Sequence, residues 1–159
     1  MKKVVLVRGC SGSGKSTLAN KLKKEAIKQN QTCEIFSADD YFIQNDNYNW
    51  QGKYIRYAHA WCFGMFSKAL FNEINLIIVD NTFIEDWTTY QYIDGATHFD
   101  YEWDIVESGT KWAKNVDELV SRNIHNVPRS TIEKMVSGME KLTTKELKNI
   151  LNRKFNKSN

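Results

Sequence analysis

Gly9-Cys10-Ser11-Gly12-Ser13-Gly14-Lys15-Ser16 satisfies the pattern G-x-x-x-x-G-K-[ST] at every fixed position, and Thr17 follows it. Upstream lies the β-branched run 3–8, which reads as a buried strand. Downstream, 16–29 sets Leu18, Leu22 and Ile27 near one face with lysines elsewhere, as a helix requires. Strand, glycine turn and helix in that order are the context in which this octapeptide binds phosphate. The glycines let the backbone curl tightly, so that successive N–H groups converge on an anion. The helix adds the positive end of its dipole. Lys15 supplies a cation that reaches β- and γ-phosphates, and the Ser16 hydroxyl is a ligand for Mg²⁺. ATP and Mg²⁺ are therefore expected at residues 9–17. Cys10 reads as a small residue that fits the loop rather than as a redox switch.

Outward from this loop, strand and helix patterns alternate. The short segments 33–36, 76–79 and 101–106 read as further strands, 76–79 as a buried one. The segments 54–71, 85–98, 116–124, 130–139 and 143–151 read as helices, with Pro128 introducing the fourth of these. Short β-rich runs separated by helices imply an α/β fold, a mostly parallel four-stranded sheet covered by helices on both faces. No repeat and no Gly/Ser-rich linker interrupts the chain, so a single domain over 1–159 is expected. A helical lid is placed at about 112–140, followed by a basic helix and tail at 141–159.

In such sheets ligands gather outside the C-terminal ends of the strands, and acids fall there. Asp80 follows Leu76-Ile77-Ile78-Val79, four aliphatic residues and then an acid, which suits holding Mg²⁺ or positioning an acceptor. Asp39 and Asp40 follow the second strand. Neighbouring residues at a strand end rarely share a face, so one of them, Asp39, is the expected general base and Asp40 a flanking acceptor-site or capping residue. Charge accumulating on a transferred phosphoryl group calls for cations beyond Lys15. Arg122 and Arg129 are the candidates in the lid segment. His59 and His125 read as structural or hydrogen-bonding residues, and no His or Cys spacing suits a transition metal.

Composition agrees with an ordinary globular domain. Hydrophobic residues make up 42% and aromatics 13% of 159 residues, which excludes a wholly disordered chain. No run approaches the ~20 apolar residues of a membrane span, and the N-terminus lacks a signal-peptide pattern. Cys10, Cys33 and Cys62 are odd in number and unpatterned, so a reduced, cytoplasmic setting with free thiols is expected. The net charge of +3 is uneven. Residues 141–159 carry six basic side chains against Glu146 alone, which leaves the body slightly acidic. That tail is a soluble terminus or an electrostatic aid to nucleic-acid binding.

The ordered set of motifs resembles the polynucleotide-kinase group of P-loop kinases, both the kinase domain of phage-type enzymes and stand-alone AAA-type ATP-binding relatives. The matching pieces are 8–17, 37–42, Gly52 with Tyr54, Ala58-His59, 77–82, Arg122-Asn123, His125 and Val127-Pro128, continuing to Ile132, Met135 and Glu140. The resemblance implies a three-layer P-loop fold with strand order 2-3-1-4. It implies Asp39, first acid of Asp39-Asp40-Tyr41, as general base, Asp80 as an acceptor-site organiser, and a lid arginine near Arg122. Its well-studied members have arginine where this chain has Phe42, and a longer basic stretch where it has Ile124-His125-Asn126. No D-x-D-G-T occurs, so no fused phosphatase is expected. The leading expectation is a kinase of the 5′-hydroxyl of a DNA or RNA end. Alternatives are a kinase of a nucleoside or small metabolite, favoured by Phe42 and the aromatics Tyr54, Tyr57 and Trp61, and an ATP-binding switch without phosphoryl transfer.

Overall fold

The computed structural model describes residues 1–44 and 47–155. Strands are β1 (Lys3–Arg8), β2 (Cys33–Phe36), β3 (Ile43–Gln44), β4 (Asn47–Tyr48), β5 (Leu76–Asp80) and β6 (Glu102–Glu107). Helices are α1 (Lys15–Lys28), α2 (Ile55–Phe71), α3 (Trp87–His98), α4 (Val116–Arg122), α5 (Arg129–Lys141) and α6 (Thr144–Phe155). The main sheet is parallel throughout, in the order β2-β5-β1-β6, which is the expected 2-3-1-4 arrangement.

Residues 4–7 and 76–79 are aliphatic without alternation because both faces of the sheet are covered. Val5, Val7 and Ile78 face α1 and pack with Ala19. Val4, Leu6, Ile77, Val79 and Ile105 face the opposite layer, which includes Phe66 of α2, Tyr92 of α3 and Leu147 of α6. In this layer Tyr92 makes edge-to-face contacts with Phe63, Phe66 and Phe83. A third cluster joins Leu119 of α4 and Ile132, Val136 and Met139 of α5 to Cys10 of the phosphate loop. The two helices after β6 are thus anchored on the loop itself, and Cys10 is fully buried beneath them. Burial pushes its thiol pKa up, which makes it less reactive, in keeping with a packing role.

Helix ends follow local chemistry. Gly14 caps α1 in the left-handed region at φ 92°. Asn115 caps α4 by accepting the Glu118 N–H at 3.1 Å, and Pro128 precedes α5. Arg8, at the end of β1, is fully buried. Its guanidinium donates to the carbonyls of Phe83 (2.7 Å), Ile84 (3.2 Å) and Leu142 (2.7 Å) and to Thr144 Oγ1 (3.0 Å). It ties the segment after β5 to the α5–α6 junction, with Glu107 offsetting part of the cost of its burial. The small β3–β4 hairpin carries no alternation pattern and was not expected from the sequence. Helix α6, expected as a basic terminal element, buries Leu147 and Leu151, pairs Lys148 with Asp104 (2.6 Å) and lays Lys154 over the Tyr90 ring (3.7 Å). The last residues of the basic tail, 156–159, lie outside the described residues.

Candidate functional site

Register places the site. Parallel pairing sets Val7 opposite Asp80, so the loop leaving β1 and the carboxylate ending β5 emerge side by side. Ser16 Oγ, in the first turn of α1, donates to Asp80 Oδ2 at 2.6 Å. Asp80 is 6% exposed. Burial raises its pKa above the usual carboxylate value, while Lys15 and the Ser16 hydroxyl draw it back down.

The loop itself is a cradle. Gly12 adopts φ 80°, and a Cβ there would stand 2.6 Å from the Leu119 carbonyl, so only glycine allows α4 to close on the loop. Ser13 Oγ is buried without a hydrogen-bond partner, the only such side-chain atom among the described residues. Its own carbonyl is held by Ser108 Oγ (2.6 Å) and Thr110 Oγ1 (2.9 Å) from beyond β6. Lys15 Nζ donates to the Cys10 carbonyl at 3.1 Å, across the loop. A cavity of about 280 Å³ lies against the loop, bordered by Gly12, Gly14, Lys15, Ser16 and Thr17 on one side and by Trp112, Arg122 and His125 on the other. An orphaned hydroxyl, a convergent glycine backbone, a lysine and a Ser–Asp pair fit a nucleotide polyphosphate with its Mg²⁺.

A second cavity, of about 380 Å³, adjoins the first and shares Ser11 and His125 with it. Asp39 lies in its wall with Tyr48, Trp50, His59 and Asn81. Tyr48 donates to Asp39 Oδ1 at 3.0 Å, and His125 Nε2 stands 3.7 Å from Asp39 Oδ2, with the Tyr48 and His125 rings 4.4 Å apart. Partly desolvated and bonded to the Asp39 carboxylate, the Tyr48 hydroxyl has its pKa pushed well up, so it stays a donor at any ordinary pH. Desolvation draws the His59 pKa down, with Asp39 opposing the shift. Asn81 fixes this wall from behind, accepting the Ala38 N–H at 2.9 Å and donating to Cys62 Sγ at 3.6 Å.

The paired acids divide as their adjacency implies. Asp39 borders the cavity, whereas Asp40 Oδ2 accepts the Ser37 N–H at 3.1 Å and completes a capping box over the 3-10 turn at Ala38–Phe42. Asp40 is not in the cavity wall. Asp80 faces Ser16 rather than the second cavity. The arginines divide as well. Arg122 borders the phosphate cavity, with its guanidinium 3.9 Å from the Trp112 ring centroid and bonded to Glu118 at 3.0 Å. Arg129 points elsewhere, pairing with Asp117 (2.7 Å) and Glu133 (3.1 Å), and borders neither cavity. Sequence reading passed over Tyr48 and Asn81 and gave His125 no place beside Asp39. Only Asn81 carried a local signal, directly after Asp80 at a strand end.

A parallel four-stranded sheet with a phosphate loop at the end of its central strand, and helices packed over that loop, defines a P-loop kinase-like domain. The chain belongs to the AAA domain family, whose AAA_33 model matches residues 4–142. It is similar to human NEDD4-binding protein 2, at 34% identity over 141 residues, covering 89% of this chain and 8% of that protein. It is also similar to rat 2′,3′-cyclic-nucleotide 3′-phosphodiesterase, at 26% identity over 141 residues, covering 88% of this chain and 32% of that protein. The chain thus spans a third or less of these curated relatives. Among solved structures, it shares its fold with a chain of the Pnkp1/Rnl/Hen1 RNA repair complex, at TM-score 0.67 and 23% identity, covering 91% of this chain and 45% of that one. No helix among the described residues is long and apolar enough to cross a membrane.

Proposed function

We propose that the chain is an ATP- and Mg²⁺-dependent kinase that phosphorylates a hydroxyl, the 5′-hydroxyl of a DNA or RNA end being the leading acceptor. One observation carries the reading. A phosphate-binding cavity and a second cavity containing a carboxylate meet at Ser11 and His125, so a donor and an acceptor have adjoining compartments. An ATP-binding switch needs only the first of them.

The residues divide the work by position. The backbone of residues 9–17 and Lys15 hold the ATP phosphates, and Ser16 with Asp80 would hold Mg²⁺. The ion, when bound, offsets charge on the phosphate oxygens. Asp39 takes the proton of the acceptor hydroxyl as that oxygen bonds to the γ-phosphorus and the bond to the ADP oxygen breaks. Tyr48 holds Asp39 in place through its hydroxyl. Arg122, presented by α4, adds positive charge beside the transferred group. The segment at 112–140 serves as the lid, because α4 and α5 reach the loop through Leu119, Ile132 and Cys10.

Incubating the protein with γ-labelled ATP, Mg²⁺ and 5′-hydroxyl oligonucleotides tests the reading. Label is expected on the oligonucleotide and not in Asp39→Ala; transfer to no oligonucleotide overturns the nucleic-acid acceptor. A second reading, a nucleoside or similar small acceptor, is favoured by one feature. No lysine or arginine among the described residues lines the acceptor cavity, whose walls include Tyr48, Trp50, Ile55 and Val127. Competition between nucleosides and oligonucleotides for the label separates the two. Relatives named for RNA repair and cyclic nucleotides support a nucleotide-bearing acceptor in either case.

A further inference from the structure

We propose that the outer face at the start of α2 is a binding strip for single-stranded nucleic acid, carrying the nucleotides that follow the acceptor nucleotide. The proposal rests on the nucleic-acid reading of the acceptor site and extends it beyond the cavity.

The first observation is an aromatic row. Tyr54, Tyr57 and Trp61 recur at helical spacing, which puts them on one face, and Trp50 precedes them in the turn leading to α2. The adjoining face of the helix buries Ala58, Cys62, Phe66 and Ala69. Beside its buried apolar face α2 carries Tyr57 and Trp61 outside, and the turn before it presents Trp50 and Tyr54; Trp50 and Trp61 lean on Phe42 and Tyr41, with ring centroids 6.5 and 6.2 Å apart. Yet Tyr57 is 63% and Trp50 53% exposed, and Tyr54 and Trp61 are exposed at 39% and 37%. Exposed aromatics in a row are stacking platforms for bases.

The second observation is charge. Residues 47–72 contain no aspartate or glutamate, in a chain with 19 acids. Lys53 and Arg56 stand between the aromatics, both exposed, and neither is paired with a carboxylate among the described residues. Lys53 Nζ lies 4.8 Å from the Tyr54 ring centroid. By contrast, two basic side chains of α6 are engaged, Lys148 by Asp104 and Lys154 by the Tyr90 ring. Unpaired cations alternating with aromatics match a phosphate backbone and its bases, and match poorly a protein partner's apolar patch.

The third observation is continuity. Trp50 belongs both to this strip and to the wall of the acceptor cavity, and Ile55, in the first turn of α2, lines that wall, so the strip starts at the cavity's edge. The cavity is lined by no lysine or arginine among the described residues, and the cations lie outside it. A terminal nucleoside inside, with its 3′ phosphate and following bases on Lys53, Arg56, Tyr54 and Tyr57, satisfies both surfaces.

The experiment compares a nucleoside, a nucleoside 3′-phosphate and a 5′-hydroxyl hexanucleotide as acceptors for the full chain. KM is expected to fall along that series by at least about tenfold, the scale of one stacked base. The double variant Arg56→Ser, Tyr57→Ser should raise the hexanucleotide KM by about tenfold, leaving kcat and the nucleoside KM unchanged. Both side chains are exposed, so its melting temperature should match the parent's. Fluorescence anisotropy of a 3′-labelled hexanucleotide without ATP supplies a readout independent of transfer. The variant should bind about tenfold more weakly, with a log–log salt slope shallower by ~0.7 for each phosphate that Arg56 no longer neutralises. If no acceptor is phosphorylated but binding still depends on Arg56 and Tyr57, the strip stands and the kinase reading falls. If transfer is indifferent to length and the variant binds like the parent, the strip is overturned and the aromatic face is assigned to a protein partner.

Discussion

The two cavities of the cleft are built in opposite ways. The floor of the first, which the proposed reading makes the donor side, comes from one contiguous phosphate loop with Lys15 and Ser16 as its side chains, and only its cover of Trp112, Arg122 and His125 comes from elsewhere. The acceptor side comes from side chains carried by segments far apart in the chain: Asp39 after β2, Tyr48 on β4, Asn81 after β5 and His125 after α4. A backbone cradle needs only conformation, which glycine spacing specifies locally. A side-chain pocket needs several segments to arrive together, and can change its ligand without disturbing the loop. One site is therefore suited to a constant cosubstrate and the other to a particular acceptor.

That contrast predicts separable losses. Lys15→Ala and Asp39→Ala should both reduce transfer by about 10²-fold or more, the scale of a lost catalytic cation or base. Only the first should weaken ATP binding, measured by titration calorimetry; equal loss of ATP affinity in both would merge the compartments. Arg122→Ala is expected to reduce kcat by about 10²- to 10³-fold with little change in ATP affinity. Arg129→Ala, whose side chain pairs outside both cavities, should stay within about twofold, since exposed ion pairs contribute ~0–1 kcal/mol.

Smaller effects follow in stability. Gly12→Ala puts a Cβ 2.6 Å from the Leu119 carbonyl at φ 80° and should destabilise the chain by about 1–3 kcal/mol in urea titration. Asp80→Asn tests a trade between stability and function. Burial holds the folded Asp80 carboxyl above its ordinary value of 3.8. Its contribution to stability is therefore full below that value and is lost as pH rises through the folded pKa. At pH 7 its ionisation opposes folding, so the neutral variant should melt higher than the parent, with the gap closing toward pH 4, while transfer is lost. A lower melting temperature at pH 7 would show instead that the Lys15 and Ser16 interactions outweigh burial.

Much of the frame was readable in the chain itself. Residues 3–17 disclose a strand, a phosphate loop and a helix because each depends on neighbours in sequence. The uninterrupted apolar run at 76–79 marks a strand buried on two faces for the same reason. The assignments of Asp39 and Asp40 were partly readable, since adjacent residues at a strand end rarely share a face, and Ser37 before them permits the capping box that Asp40 completes. Helix ends shifted by a few residues where caps compete: α3 starts at Trp87, beside the Asp86 carboxylate, rather than at 85.

Other features had no local signal. The β3–β4 hairpin consists of two-residue strands, too short for any period. Arg8 looked like the last residue before a loop, and only packing shows it buried under two chain segments that supply its acceptors. Arg122 and Arg129 were equivalent in sequence, both basic residues on lid helices. They differ because α4 turns Arg122 toward Trp112 and the loop, and Asp117 and Glu133 capture Arg129 on the outside.

Taken alone, then, the amino-acid order determined the phosphate loop, the parallel α/β frame and the side of the sheet on which chemistry occurs, because propensity, burial period and loop conformation act over short stretches. Tertiary structure decided which acid borders the second cavity, which arginine borders the cavity over the phosphate loop, and that Tyr48 and His125 meet at Asp39. These are contacts between segments separated by tens of residues, fixed by strand register and by the packing of α4 and α5 on Cys10, and no local pattern encodes them.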